Sequence, residues 1–128
     1  MNLLLDTHVF LWMETAPWEL STAATEALSD PDNSLLISVA GVWEAQIKAS
    51  LGKLPLSRPL KAILRDHCSQ LGIAVLPVAP GDVFALDRLP DHHRDPFDRL
   101  LVATALARDL ILVTADPQIA RYPVATLW

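Results

Sequence analysis

Four acidic residues, Asp6, Glu44, Asp98 and Asp116, are spaced so that a folded chain can bring them to one edge. Carboxylates gathered without balancing lysines repel one another, and a divalent cation removes that cost. Oxygen-only donors favour Mg²⁺ or Mn²⁺, and the soft sulfur ligands that mark zinc sites are missing. One or two such ions bind a phosphate oxygen, lower the pKa of a bound water and stabilise a leaving oxygen. That is the chemistry of phosphodiester hydrolysis. Thr114, two residues before Asp116, carries a hydroxyl that could orient a metal-bound water, although a Thr ending a strand is also commonplace.

Each acid also has a structural account. Asp6 can cap the turn after the first strand. Glu44 has Lys48 four residues on, the favourable helical Glu-to-Lys pair, which describes a solvated face. Asp98 follows Asp95 by three residues, resembling a capping box in which either residue holds the helix start. For Asp95 the cap is the favoured role. Asp116, followed by Pro117, is a good N-cap by itself. The functional case rests on the set.

The elements that must position these residues are legible as an α/β pattern, in which short Leu/Ile/Val runs alternate with helical stretches. Strands are expected at Leu3 to Leu5, Leu35 to Ser38, Ile73 to Val78, Leu110 to Val113 and Val124 to Leu127. Runs this apolar suit a mostly parallel sheet covered on both faces. Ser21 caps a helix over Thr22 to Leu28, and Ser38 caps one running to Leu51 with Gly52 just past its end. Further helices are expected over Leu60 to Leu71, stopped by Gly72, and from Pro80 through Leu89. Asp95 and Asp116 precede prolines, so helices should open at Pro96 and Pro117. In such a sheet ligands bind beyond the carboxyl ends of the strands, where the strand order reverses. Asp6 follows the first strand and Asp116 the fourth, Glu44 lies one to two turns into the helix after the second, and Asp98 opens the helix before the fourth.

The 128 residues fit one domain, 52% hydrophobic and 20% charged, a balance that excludes disorder. The longest nearly apolar run, Leu100 to Ala107, falls far short of the ~20 residues a bilayer span needs. Leu3 to Leu5 stops at Asp6 with no basic region before it, so no secretory signal is read and a cytoplasmic protein is expected. Cys68 stands alone, which excludes an internal disulfide and assigns it to packing. A net charge of −5 argues against nucleic-acid binding through a general positive field. Set the four acids aside, however, and the remaining acids nearly balance the Lys and Arg, so a surface with local arginines can still hold RNA.

Arg94 and Arg99 flank Asp98 and are candidates for the RNA backbone, with surface pairing to Asp91 or Asp95 as the plainer account. His92 and His93, being adjacent, point differently and make a poor metal site; they read as a loop touching RNA phosphate or as an exposed loop. Phe10, Trp12, Trp18 and Trp43 read as core or groove residues.

Several stretches together resemble PIN-domain ribonucleases. They are Leu3-Leu4-Leu5-Asp6-Thr7-His8-Val9-Phe10-Leu11-Trp12, Val42-Trp43-Glu44, His93-Arg94-Asp95-Pro96-Phe97-Asp98-Arg99-Leu100-Leu101, and Leu112-Val113-Thr114-Ala115-Asp116. More narrowly, they are similar to the VapC toxins of bacterial toxin-antitoxin pairs. Each motif is weak alone, but the ordered set spans nearly the whole chain. The resemblance implies a three-layer α/β/α PIN fold over residues 1–128, with a parallel five-stranded sheet in the order 3-2-1-4-5. It carries the family's acids onto Asp6, Glu44, Asp98 and Asp116. Asp6 and Asp98 are then the principal ligands of Mg²⁺ or Mn²⁺, with Glu44 and Asp116 direct or through water. Asp95 falls in the family's His-Arg-Asp-Pro-Phe-Asp pattern and is assigned to positioning the helix.

The implied activity is metal-dependent endoribonuclease cleavage of single-stranded regions in structured RNA. The implied partner is a VapB-like antitoxin whose C-terminal segment lies in a hydrophobic groove, for which Phe10, Trp12 and Trp43 are candidates. A homodimer and a toxin-antitoxin assembly that binds promoter DNA through the antitoxin are also implied. Two rivals place an Asp after a parallel strand: a phosphatase, which expects a second Asp where His8 stands, and a phospho-accepting domain, which expects a late Lys although none follows Lys61. A third is a PIN-like scaffold that binds a partner without catalysis.

Overall fold

A computed structural model describes all 128 residues. Its elements are β1 (Asn2–Leu5), α1 (Thr7–Thr15), α2 (Thr22–Ser29), β2 (Ser34–Ser38), α3 (Val39–Ser50), α4 (Leu60–Leu71), β3 (Ala74–Leu76), α5 (Pro80–Phe84), α6 (Pro96–Arg108), β4 (Ile111–Val113) and β5 (Thr126–Leu127). The sheet is ordered β3-β2-β1-β4-β5 and every neighbouring pair is parallel. This is the order the family resemblance implies. β1 is central, and the order reverses between it and β4.

Strand pleating sends alternate side chains to opposite faces, and two cores result. Leu3 and Leu5 enter one core with Val9, Phe10, Ile37 and Ile63; Leu4 and Leu112 enter the other with Leu101, Val102 and Ile119. Leu3, Leu4, Leu5, Leu112 and Val113 are fully buried, as a doubly covered parallel sheet requires. The ends of β1 and β4, which Asp6 and Asp116 follow, are therefore held by packing on both faces.

The helix signals act as read at most positions. Ser21 Oγ accepts from Ala24 N at 3.0 Å and Ser38 Oγ from Ala40 N at 3.1 Å. Gly72 closes α4 in the left-handed conformation with φ of 68°. Four readings need correction. The segment after Asp6 is α1, capped by the Asp6 side chain, where only a turn was expected. The expected helix from Pro80 to Leu89 is α for one turn and then 3₁₀ over Ala85–Arg88. The helix expected at Pro117 reduces to a 3₁₀ turn, Ile119–Arg121, because Pro123 lies only six residues on and the chain must enter β5. β3 and β5 are shorter than their apolar runs, since Pro77 has no N–H to extend β3 and Pro123 precedes β5.

Gly41 lets α3 approach α1. A Cβ built there would lie 2.8 Å from Oγ1 of Thr7, a buried residue next to Asp6. Helix propensity alone makes Gly41→Ala favourable by up to about 1 kcal/mol, while overpacking costs about 1–3 kcal/mol. The clash should win, so urea unfolding of Gly41→Ala should show a lower midpoint; an unchanged or raised midpoint would mean that α3 does not pack this closely.

Candidate active site

The candidate acids come from four elements: Asp6 and Asp116 border one cleft, Glu44 and Asp98 a second recess. Asp6 is the N-cap of α1, 5% exposed, and its backbone N–H donates to Val113 O across the β1–β4 pair at 3.0 Å. Both of its carboxylate oxygens are engaged: Oδ1 accepts from His8 N at 3.3 Å, and Oδ2 accepts the Thr114 hydroxyl at 2.7 Å. Thr114 Oγ1 in turn accepts from Asp116 N at 3.0 Å. The Thr114 proton is thus spent on Asp6, so this residue positions a carboxylate and a loop, a different support from the water-orienting one expected.

Glu44 sits on α3 and is 6% exposed, which overturns the solvated-face account, although Lys48 Nζ does pair with its Oε2 at 3.1 Å. Asp98 occupies the first turn of α6. Asp95 caps that helix, its Oδ1 accepting from Phe97 N at 2.9 Å and Asp98 N at 3.0 Å. The capping box is only half formed, because the Asp98 carboxylate contacts His93 Nε2 at 3.2 Å. Glu44, Asp95 and Asp98 each offer an oxygen within 4.8 Å of the others. Asp95, read from sequence as a cap alone, therefore also belongs to the acidic cluster.

Burial raises the Asp98 carboxyl to about 6; the His93 hydrogen bond opposes this, and the charges of Asp95, Asp6 and Glu44 add to it. Asp6 is thus within electrostatic reach of the cluster. Its carboxylate also holds the neighbouring His8 imidazole above the ordinary histidine range, with His8 Nδ1 3.9 Å from Oδ1. Asp116 and Asp6 line a cleft of about 280 Å³ together with His8, Val9, Trp12 and Pro117. Its Oδ1 accepts from Gln118 N at 2.8 Å. A second recess holds Glu44 and Asp98 and is lined also by Thr7, Ser38, Gly41 and Phe97.

The donor set fits a hard divalent cation. Close carboxylate oxygens, one of them on a residue whose ionisation is suppressed by burial and like charge, are what a Mg²⁺- or Mn²⁺-sized ion satisfies.

The remaining candidates separate. Phe10 is 2% exposed in the core with its ring 4.9 Å from that of His67, so it cannot line a groove. Trp12 is half-buried beside Trp128, ring centroids 6.0 Å apart. Trp43 is 62% exposed, edge-on to Phe97, and borders an apolar groove with Val39, Val42, Leu60 and Leu64. Arg99 is committed to Pro90 O at 3.0 Å and Tyr122 Oη at 3.1 Å, with Asp91 at 3.8 Å. Arg94 alone of the two arginines is exposed. His93 and Tyr122, neither of them singled out from sequence for the site, adjoin it: His93 Nδ1 lies 2.7 Å from Tyr122 Oη. The position of His93 in the motif with Asp98 was the available signal for it; Tyr122 had none.

A PIN-domain family model matches residues 3–125. The chain belongs to the PIN-domain family. Ribonuclease VapC22 of Mycobacterium tuberculosis is 32% identical over 133 residues, covering 99% of this chain and 98% of the relative. This PIN domain also shares its fold with chains of two solved complexes. VapBC2 from Rickettsia felis, bound to a DNA fragment from its promoter, matches with TM-score 0.73 at 18% identity, covering 98% of this chain and 97% of that one. VapBC-1 from nontypeable Haemophilus influenzae matches with TM-score 0.65 at 17% identity, covering 98% and 96%.

The raised Asp98 carboxyl has a consequence for stability. Because its folded value of about 6 exceeds the ordinary 3.8, its favourable contribution is complete below pH 4 and is lost as pH rises through 6. In EDTA at pH 7, Asp98→Asn should therefore be more stable than the parent by on the order of 2 kcal/mol, and the gain should vanish near pH 4. Thermal melts at the two pH values check this; a destabilised variant at pH 7 would contradict it.

Proposed function

We propose that this PIN domain is a Mg²⁺- or Mn²⁺-dependent endoribonuclease, the toxin of a toxin-antitoxin pair, hydrolysing RNA phosphodiester bonds. The observation that supports this most is the cluster of Glu44, Asp95 and Asp98, with Asp6 at the end of β1 near enough to add its charge, in a chain similar to a VapC ribonuclease along its whole length. Asp6 and Asp98 would hold the principal ion, with Glu44 and Asp116 ligating directly or through water. Asp95, with Oδ1 given to the helix cap, has Oδ2 left to join them.

A bound divalent cation supplies a water of lowered pKa and offsets charge on the phosphate. The chain's own residues do the rest. Thr114 and the His8 backbone N–H hold the Asp6 carboxylate in one orientation. Lys48 balances one buried charge at Glu44. Asp116 sets the wall of the cleft beside Asp6, and Arg94, which is exposed, would contact the RNA backbone.

A VapB-like antitoxin is the proposed inhibitor. The exposed apolar groove beside Trp43 fits its hydrophobic segment, with Trp12 a second contact and Phe10 withdrawn. A homodimer, promoter binding through the antitoxin and a cytoplasmic location complete the proposal. No helix is long and apolar enough to cross a membrane.

Purified, antitoxin-free protein should cut total cellular RNA into discrete fragments with Mg²⁺ or Mn²⁺, and EDTA should stop it. Asp6→Asn and Asp98→Asn should fall to background while folded. Cleavage that persists in EDTA or in either variant would refute the assignment, and inactive folded wild type would favour the non-catalytic scaffold.

A further inference from the structure

We propose that His93 is a positioning residue that fixes the Asp98 carboxylate for cation binding, its proton placed by the buried hydroxyl of Tyr122. The inference rests on the metal-dependent reading above.

It follows from donor and acceptor arithmetic. Arg99 has only donors, and its Nη1 donates to Tyr122 Oη at 3.1 Å as well as to Pro90 O at 3.0 Å. The Tyr122 O–H must then turn to an acceptor, and His93 Nδ1 lies 2.7 Å away. With Nδ1 accepting, the proton of the neutral imidazole sits on Nε2. Nε2 is 3.2 Å from Asp98 Oδ2 and donates to it. Every link runs in one direction, from Arg99 through Tyr122 and His93 to Asp98.

Packing holds the relay in place. Tyr122 is 3% exposed, and the His93 and Asp98 side chains are 16% and 18% exposed. The His93 and Tyr122 rings lie 5.4 Å apart, and the Arg99 guanidinium sits 5.9 Å from the Tyr122 ring centre. Its members come from the loop before α6, from α6 and from the turn before β5, so the relay ties the acidic cluster to the far edge of the sheet. A carboxylate with one oxygen hydrogen-bonded in this way cannot rotate freely, and its other oxygen is presented to the ion. Partners that orient metal ligands typically affect affinity 10–100-fold.

Tyr122→Phe deletes the hydroxyl and keeps the ring. In wild type, ¹⁵N NMR should find His93 protonated at Nε2, and in Tyr122→Phe the tautomers should mix. Mn²⁺ affinity, read by EPR of the free ion, should fall about 10-fold in Tyr122→Phe and at least that much in His93→Leu. His93→Gln keeps an amide donor near the place of Nε2 and should bind within about 3-fold of wild type. Tyr122→Phe carries the test should His93→Leu unfold. A wild-type ring protonated at Nδ1 overturns the proposal. So does unchanged Mn²⁺ affinity in Tyr122→Phe while Asp98→Asn loses binding, which leaves the metal centre intact and His93 without the role. Equal Mn²⁺ binding by wild type and Asp98→Asn removes the metal centre at Asp98 and the proposal with it.

Discussion

Repulsion among carboxylates is the constraint around which this molecule is organised. Asp6 and Glu44 are buried, Asp98 is largely so, and Asp95 lies close enough to add its charge. Water would separate such groups or screen them; here the chain holds them together at the edge of a sheet covered on both faces. That arrangement costs stability in the cation-free protein: burial first, and then the charges of Asp95, Asp6 and Glu44, raise the Asp98 carboxyl. A fold that retains the cost is suited to binding a cation, because binding to the folded state alone returns the free energy.

The rest of the structure supplies rigidity to that edge. Leu3–Leu5 and Leu112–Val113 have no solvent exposure, so the strand end that carries Asp6 is fixed, while α3 and α6 hold Glu44 and Asp98. Helix starts do the aiming: the same residues that cap α1 and α6, Asp6 and Asp95, place carboxylates at the cluster, where the positive ends of helices favour them. Gly41 brings α3 close to Thr7 beside Asp6, and Glu44 on the same helix meets Asp98 of α6. Each of these devices is local, and all bear on one small volume.

Much of this was legible in the sequence because strand ends and proline-marked helix starts have strong local signals. Asp6 after Leu3–Leu5 and Asp95-Pro96 before Asp98 could be placed without a structure. The strand order was not readable from periodicity and came from resemblance to a family. Other features escaped because they depend on partners distant in the chain. Tyr122 reaches His93 across 29 positions, and nothing near Tyr122 announces it. Phe10 and Trp12 look alike in a one-dimensional reading, yet the helix turns Phe10 into the core and leaves Trp12 beside the cleft. Asp116-Pro117 carries a helix-start signal that Pro123 cuts short, so the cap forms without the helix. Asp95 shows the opposite limit: the cap was read correctly, and its second role appears only when Glu44 arrives from another element.

The central claim is that these acids share a divalent cation. Crystals grown with Mn²⁺, with data collected at the manganese absorption edge, would locate the ion directly. The account predicts an anomalous peak bounded by the carboxylates of Asp6, Glu44 and Asp98. Manganese bound elsewhere, with these carboxylates contacting only protein and water, would contradict it.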